Sequence, residues 1–136
     1  MTSTRRRAPR RKPLAALRTR VNYRKARFKP FDLQGKVQTD LTWHNISYDP
    51  VTGRGMMLVR FAPGAASLPH EHLDYEEFVM LEGDLVDCDG TRYRAGDCVS
   101  LAPGSRHASV SRRGCVVAAF LRGGLRTLSA HETLNP

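Results

Sequence analysis

The chain has 136 residues, 40% of them hydrophobic, with 22 Lys+Arg against 13 Asp+Glu and a formal net charge of +9. That length suits one domain with a core that needs neither disulfides nor a structural metal, and no apolar run approaches the roughly 20 residues of a membrane-spanning helix. Three cysteines, Cys88, Cys98 and Cys115, without a Cys-x-x-Cys spacing, argue against a disulfide framework or a cysteine-built zinc site and for a reducing, cytoplasmic setting.

The charge is divided unevenly. Residues 1–31 hold 12 Lys+Arg and no acid, whereas residues 32–136 hold 10 Lys+Arg and 13 Asp+Glu, so a basic arm precedes a mildly acidic domain. Within the arm, Arg5-Arg6-Arg7-Ala8-Pro9-Arg10-Arg11-Lys12-Pro13 combines like charges with two prolines and reads as disordered. Leu14, Leu17, Val21 and Phe28 then fall on one side of a helical wheel and predict a weak basic amphipathic helix. Three roles fit the arm: a transit peptide to an organelle matrix, an electrostatic arm for nucleic acid or an anionic membrane surface, or a solvated tail. The residues alone do not separate them.

The domain proper is expected over 32–136. Leu33, Val37, Leu41, Trp43 and Ile46 predict one or two strands at a sheet edge. Further strands are predicted at Met57–Phe61, Phe78–Leu81, Asp84–Asp87, Thr91–Tyr93, Cys98–Leu101, Ala108–Val110 and Cys115–Leu121. Turn residues such as Ala62-Pro63-Gly64, Glu82-Gly83-Asp84, Asp89-Gly90 and Pro103-Gly104-Ser105 punctuate them, and Asp89-Gly90 reads as a tight hairpin. Closely spaced strands without crossover helices give an all-β sandwich or barrel. The stretch after Gly123-Gly124 carries too little pattern to assign.

The chemistry is concentrated in His70-Glu71-His72-Leu73-Asp74-Tyr75-Glu76. On an extended chain, residues two apart point to one side, so His70, His72 and Glu76 share a face. Imidazole nitrogens and one carboxylate are a donor set for Fe, Mn, Ni or Zn. Taken alone, the residues fit a metal site and a run of surface histidines beside acids equally well.

Gly64 and Gly83 frame these residues as G-x5-H-x-H-x3-E-x6-G, and a second block, Gly96 to His107, reads G-x5-A-x-G-x2-H. Over residues 56–122 the sequence resembles the cupin superfamily, with Ala102 and Ser111 departing from its second motif. The resemblance implies a single-domain jelly-roll barrel of short antiparallel strands in which His70, His72, Glu76 and His107 hold one divalent transition metal. Glu77 is the rival carboxylate; parity and the spacing to Gly83 favour Glu76. The same alternation turns Phe78 and Met80 inward as cavity wall. Arg60–Ala65, Glu76–Gly83, Pro103–His107 and Gly114-Cys115 are most similar to the anti-sigma-factor-type cupins, a subgroup that also includes acetylacetone-type dioxygenases.

Two function classes follow from the resemblance. One is an Fe2+-dependent dioxygenase or related enzyme acting on a small oxygen-bearing substrate such as a β-diketone, with Tyr75, Tyr93 and Arg106 as substrate-orienting candidates. The other is a non-catalytic sensing or small-molecule-binding module with Zn2+ in the site; Mn2+ and Ni2+ suit the same ligands. A homodimer is expected by resemblance.

Overall fold

The computed structural model describes residues 8–136; Arg5–Arg7, the start of the stretch expected to be disordered, lie outside the described residues. Residues 8–20 are exposed throughout, and the continuous helix expected from Leu14 to Phe28 is not formed. Two short 3-10 turns, Leu14–Leu17 and Tyr23–Lys25, stand in its place. An acid-free segment has no i,i+4 ion pairs to offset its like charges, and Pro13 supplies no side-chain cap to the first turn. The boundary expected at residue 31 also moves, because Lys29–Phe31 (β1) is already part of the sheet.

Ten further strands follow: β2 (Gln38–Asn45), β3 (Gly55–Phe61), β4 (His70–His72), β5 (Glu76–Asp87), β6 (Arg92–Arg94), β7 (Cys98–Leu101), β8 (Arg106–His107), β9 (Ser109–Val110), β10 (Cys115–Leu121) and β11 (Leu125–Thr127). All the pairings between them are antiparallel. The larger sheet runs β1-β2-β3-β10-β5-β6, with β7 and β9 also on β5, and a smaller sheet runs β11-β4-β8. Of the one or two edge strands expected from Leu33 to Ile46, β2 is present, with Leu41 and Trp43 in it, while the edge itself is β1, which precedes those residues. The unassigned C-terminal stretch supplies β11, which pairs with β4 and sets Leu125 opposite His72. No helix among the described residues is long and apolar enough to cross a membrane.

Alternation builds the core. Leu41 and Trp43 from β2, Met57 and Phe61 from β3, Phe78 and Met80 from β5, and Val117, Ala119 and Leu121 from β10 are all buried in one cluster. Each larger side chain among them contributes about 1.5–3 kcal/mol through burial. β10 lies between β3 and β5, and its Cys115, Val116, Val117, Ala119 and Leu121 are buried while Phe120 is exposed.

β5 departs from the expectation of two strands separated by a turn at Glu82-Gly83-Asp84. It is one strand of 12 residues that bends. Against β10, Val116 pairs with Glu82 and Val117 with Met80, leaving Leu81 as an extra residue. Such a bulge re-aims the strand without reversing it. Before the bend β5 pairs with β10 and β7; beyond it, with β6 and β9. Gly83 sits in the bend at φ +79, where a Cβ would collide with the Gly114 carbonyl and approach Cys115 Cα to 2.7 Å. Only glycine meets both conditions.

Gly83→Ala is therefore expected to destabilise the fold by about 2 kcal/mol or more, read from urea unfolding; a loss within experimental error would show that the bend tolerates a side chain. The cysteines give a second check. Cys88 and Cys98 are exposed, while Cys115 is buried against the bend, and burial pushes its thiol up to about 11. Native protein at pH 8 should titrate two thiols with a maleimide and the third only after unfolding.

Candidate metal centre

β4 is the middle strand of the smaller sheet, and its register sets His70 directly opposite His107 on β8. His70 and His72 project from β4 to the same side and are both buried, with ring centroids 4.8 Å apart. Glu76 opens β5 four residues later and carries its carboxylate to the same place. His72 Nε2 lies 2.8 Å from Glu76 Oε2 and 3.0 Å from His107 Nε2, which in turn lies 3.1 Å from His70 Nε2. One donor atom from each of the four residues falls within 4.8 Å of the others.

The outer ring nitrogens fix what the inner ones present. His70 Nδ1 sits 2.7 Å from the Leu68 carbonyl, which only accepts, so the proton is on Nδ1 and the Nε2 lone pair points inward. His107 Nδ1 sits 2.7 Å from Asp87 Oδ1 and is oriented in the same way. Asp87 is buried and fully engaged, accepting also from Ser109 Oγ at 2.6 Å and from Tyr93 Oη at 2.8 Å. Two inward lone pairs 3.1 Å apart repel unless a cation stands between them. That arrangement, completed by His72 and an anionic oxygen, fits a divalent metal ion. His72 Nδ1 is buried with no partner among the described residues.

The electrostatics favour a neutral His70 beside the Glu76 carboxylate. Burial, reinforced by the nearby His107, pushes His70 down to about 4. For Glu76, burial alone would raise the carboxyl, but the His72 hydrogen bond and the surrounding imidazoles hold it below the usual range. Asp87 is held low against burial by His107, Ser109 and Tyr93. His107 is raised against burial by the Asp87 carboxylate.

Three of the four donors stand on the wall of a cavity of about 80 Å³. His70, Glu76 and His107 line it together with Phe31, Leu41, Phe61, Phe78 and Leu121, and its other polar side chains are Gln34, Ser67 and Ser109. Phe78 is among the lining residues, whereas Met80, fully buried, packs in the core away from the lining. None of the three orienting candidates lines the cavity. Tyr75 is exposed beneath the Arg122 guanidinium, Tyr93 supports Asp87 from behind, and Arg106 pairs outward with Glu71. Neighbouring charges captured these side chains. Glu77, the rival carboxylate, faces away and pairs with Arg122.

Sequence reasoning missed Asp87. Strict alternation from Glu76 puts residue 87 on the opposite face, but the bulge at Leu81 switches the parity and turns Leu85 and Asp87 inward. With Asp84 and Asp89 close on either side, the sequence did not set Asp87 apart.

The match to known proteins follows the same lines. Residues 18–123 match the ChrR cupin-like domain. The chain belongs to that family. No curated protein matches it in sequence. Among solved structures, an RmlC-like cupin from Ralstonia eutropha JMP134 is 17% identical with a TM-score of 0.71, covering 87% of this chain and 76% of its own. An acetylacetone dioxygenase from Acinetobacter johnsonii is 14% identical with a TM-score of 0.70, covering 100% of this chain and 90% of its own. Rhodobacter sphaeroides SigE in complex with the anti-sigma ChrR gives 20% identity and a TM-score of 0.56, covering 72% of this chain and 50% of its own. These likenesses show a cupin fold.

If the Asp87 contact holds His107 in its inward tautomer, Asp87→Asn should weaken metal affinity about 10–100-fold in a chelator competition. Glu77→Gln should leave it unchanged. Equal loss in both variants would mean that the carboxylates have been assigned to the wrong faces.

Proposed function

We propose that this cupin is a metal-dependent enzyme, an Fe2+-type dioxygenase acting on a small, uncharged, enolisable oxygen compound of the β-diketone kind. The observation that carries the proposal is the position of the four-donor cluster, three of whose members, His70, Glu76 and His107, line an apolar cavity with no Lys or Arg in its lining. The cavity, about 80 Å³, is small, and so is the ligand it would take. A ligand bearing a fixed carboxylate or phosphate would find no counter-charge among the lining side chains, whereas a neutral diketone needs none until it ionises. The acetylacetone dioxygenase of Acinetobacter johnsonii, similar in fold over the whole of this chain, adds support of the same direction.

His70, His72, Glu76 and His107 would hold the ion, which when bound supplies Lewis acidity toward an enolisable carbonyl and redox access to dioxygen. The remaining work belongs to the chain. Phe31, Leu41, Phe61, Phe78 and Leu121 exclude water and set the shape of the cavity. Leu68 and Asp87 hold two imidazoles in the tautomer that keeps Nε2 free of protons. Ser109 ties Asp87 to the next strand, so the His107 ring cannot swing without breaking a buried hydrogen bond.

The test is metal content of protein purified without oxygen or chelator, followed by oxygen uptake with acetylacetone. Iron-loaded protein is expected to consume one dioxygen per diketone, and His72→Ala to lose stoichiometric metal and uptake together. Tight stoichiometric zinc, with no uptake after exchange for Fe2+, would overturn the enzyme reading in favour of a closed binding or sensing site.

A further inference from the structure

A second concavity lies on the outside of the bend in β5, away from the metal centre. Its volume is about 580 Å³, and it is lined by Gly83, Asp84, Arg92, Arg94, Ala95, Arg112 and Arg113. Four guanidinium groups from two separate segments therefore face one hollow that contains a single carboxylate. All four side chains are exposed.

The convergence is enforced by backbone geometry. On β6, Arg92 and Arg94 are two residues apart and share a face, while Tyr93 between them turns inward to Asp87. Register places Arg94 opposite Asp84. The loop carrying Arg112 and Arg113 is clamped at Ser111, whose Oγ donates to the Asp84 carbonyl at 2.7 Å, whose N–H donates to the Ala65 carbonyl at 3.0 Å and whose own carbonyl accepts from Gly64 N at 2.7 Å. Arg113 N–H donates to Asp84 Oδ1 at 3.3 Å. Asp97, just after β6, is occupied with its Oδ2 accepting the Arg94 N–H at 2.8 Å.

None of the four guanidiniums forms an ion pair with a carboxylate among the described residues, although Arg106, Arg122 and Arg126 do. Gathering like charges around one hollow costs stability unless an anion answers them. Each guanidinium offers five N–H donors in a planar fork suited to phosphate oxygens, so the set matches an anion with several such oxygens. The hollow is several times larger than the cavity at the metal centre and, unlike it, is cationic.

We infer that Arg92, Arg94, Arg112 and Arg113 form a binding site for a pyrophosphate group, free or carried by a nucleotide, separate from the metal centre. Isothermal titration of the full chain with inorganic pyrophosphate and with ADP tests this. Saturable one-to-one binding is expected, weakened at least ten-fold by Arg94→Gln/Arg113→Gln. Arg112→Gln, a single exposed loop change, should weaken it too and guards against misfolding of the double variant, which a melting curve checks directly. Binding should be unaltered in Arg10→Gln/Arg11→Gln/Lys12→Gln and in His72→Ala. Tighter binding of ADP than of pyrophosphate would identify a nucleotide ligand, equal binding a free one, and both outcomes support the site. Loss in the arm variant would move the anion to the N-terminal arm, and loss in His72→Ala would move it to the metal centre. Either result, or binding indifferent to the pocket arginines, overturns the inference.

Discussion

A single strand has to serve both halves of this barrel, and the two-against-one step at Leu81 is what permits it. Were β5 regular, Glu76, Phe78 and Met80 would face the interior and Leu85 and Asp87 would face out. The bulge exchanges the two faces partway along, so both ends of one strand contribute to the same interior. Gly83 makes the exchange sterically possible by accepting a positive φ against the Gly114 backbone. The metal centre inherits this constraint directly. Glu76 comes from before the bend and Asp87 from after it, and the two carboxylates reach the histidine cluster from different sides.

The cluster also illustrates how backbone order becomes chemical specificity. Three imidazoles crowded within hydrogen-bonding distance of each other could in principle share protons and titrate as a diffuse group. The Leu68 carbonyl and the Asp87 carboxylate prevent that by claiming the outer nitrogens of His70 and His107. What remains inside is electron-rich and directional. Its fitness for a cation arises from the hydrogen bonds around it as much as from the four residues themselves.

Much of this was legible in the sequence, and the rest was hidden for identifiable reasons. The short alternating runs and glycine punctuation announced the antiparallel architecture, because period two and positive-φ turns are local properties. The shared face of His70, His72 and Glu76 followed from parity, whereas the joining of His107 to them was implied only by the resemblance to cupins. Asp87 was not legible, since parity counting assumes a regular strand and a bulge leaves only a faint trace in composition. Tyr75 and Arg106 lie against Arg122 and Glu71, partners that tertiary register sets and local sequence does not announce. In the arm, hydrophobic periodicity suggested a helix where charge repulsion and missing caps leave two isolated turns, and Phe31 was counted with the arm although its side chain is buried in the core. Arg92 and Arg94 advertise a shared face, but nothing local indicates that the Ser111 clamp brings Arg112 and Arg113 to meet them.

β6 is only three residues long, yet its middle side chain supports the carboxylate behind His107 while its outer two look into the arginine-lined hollow. A slip of one residue in its pairing with β5 would thrust a guanidinium toward Asp87 and a phenol toward solvent, damaging both places in a single event. The guard against that slip is the hairpin turn before β6, where Gly90 N–H donates to the Asp87 carbonyl at 2.9 Å and Asp89 Oδ1 accepts from Thr91 N–H at 2.9 Å. Two polar bonds in an exposed loop thus act as the alignment pin for interior and exterior alike, and the length of that loop is under tighter constraint than its position on the surface would suggest.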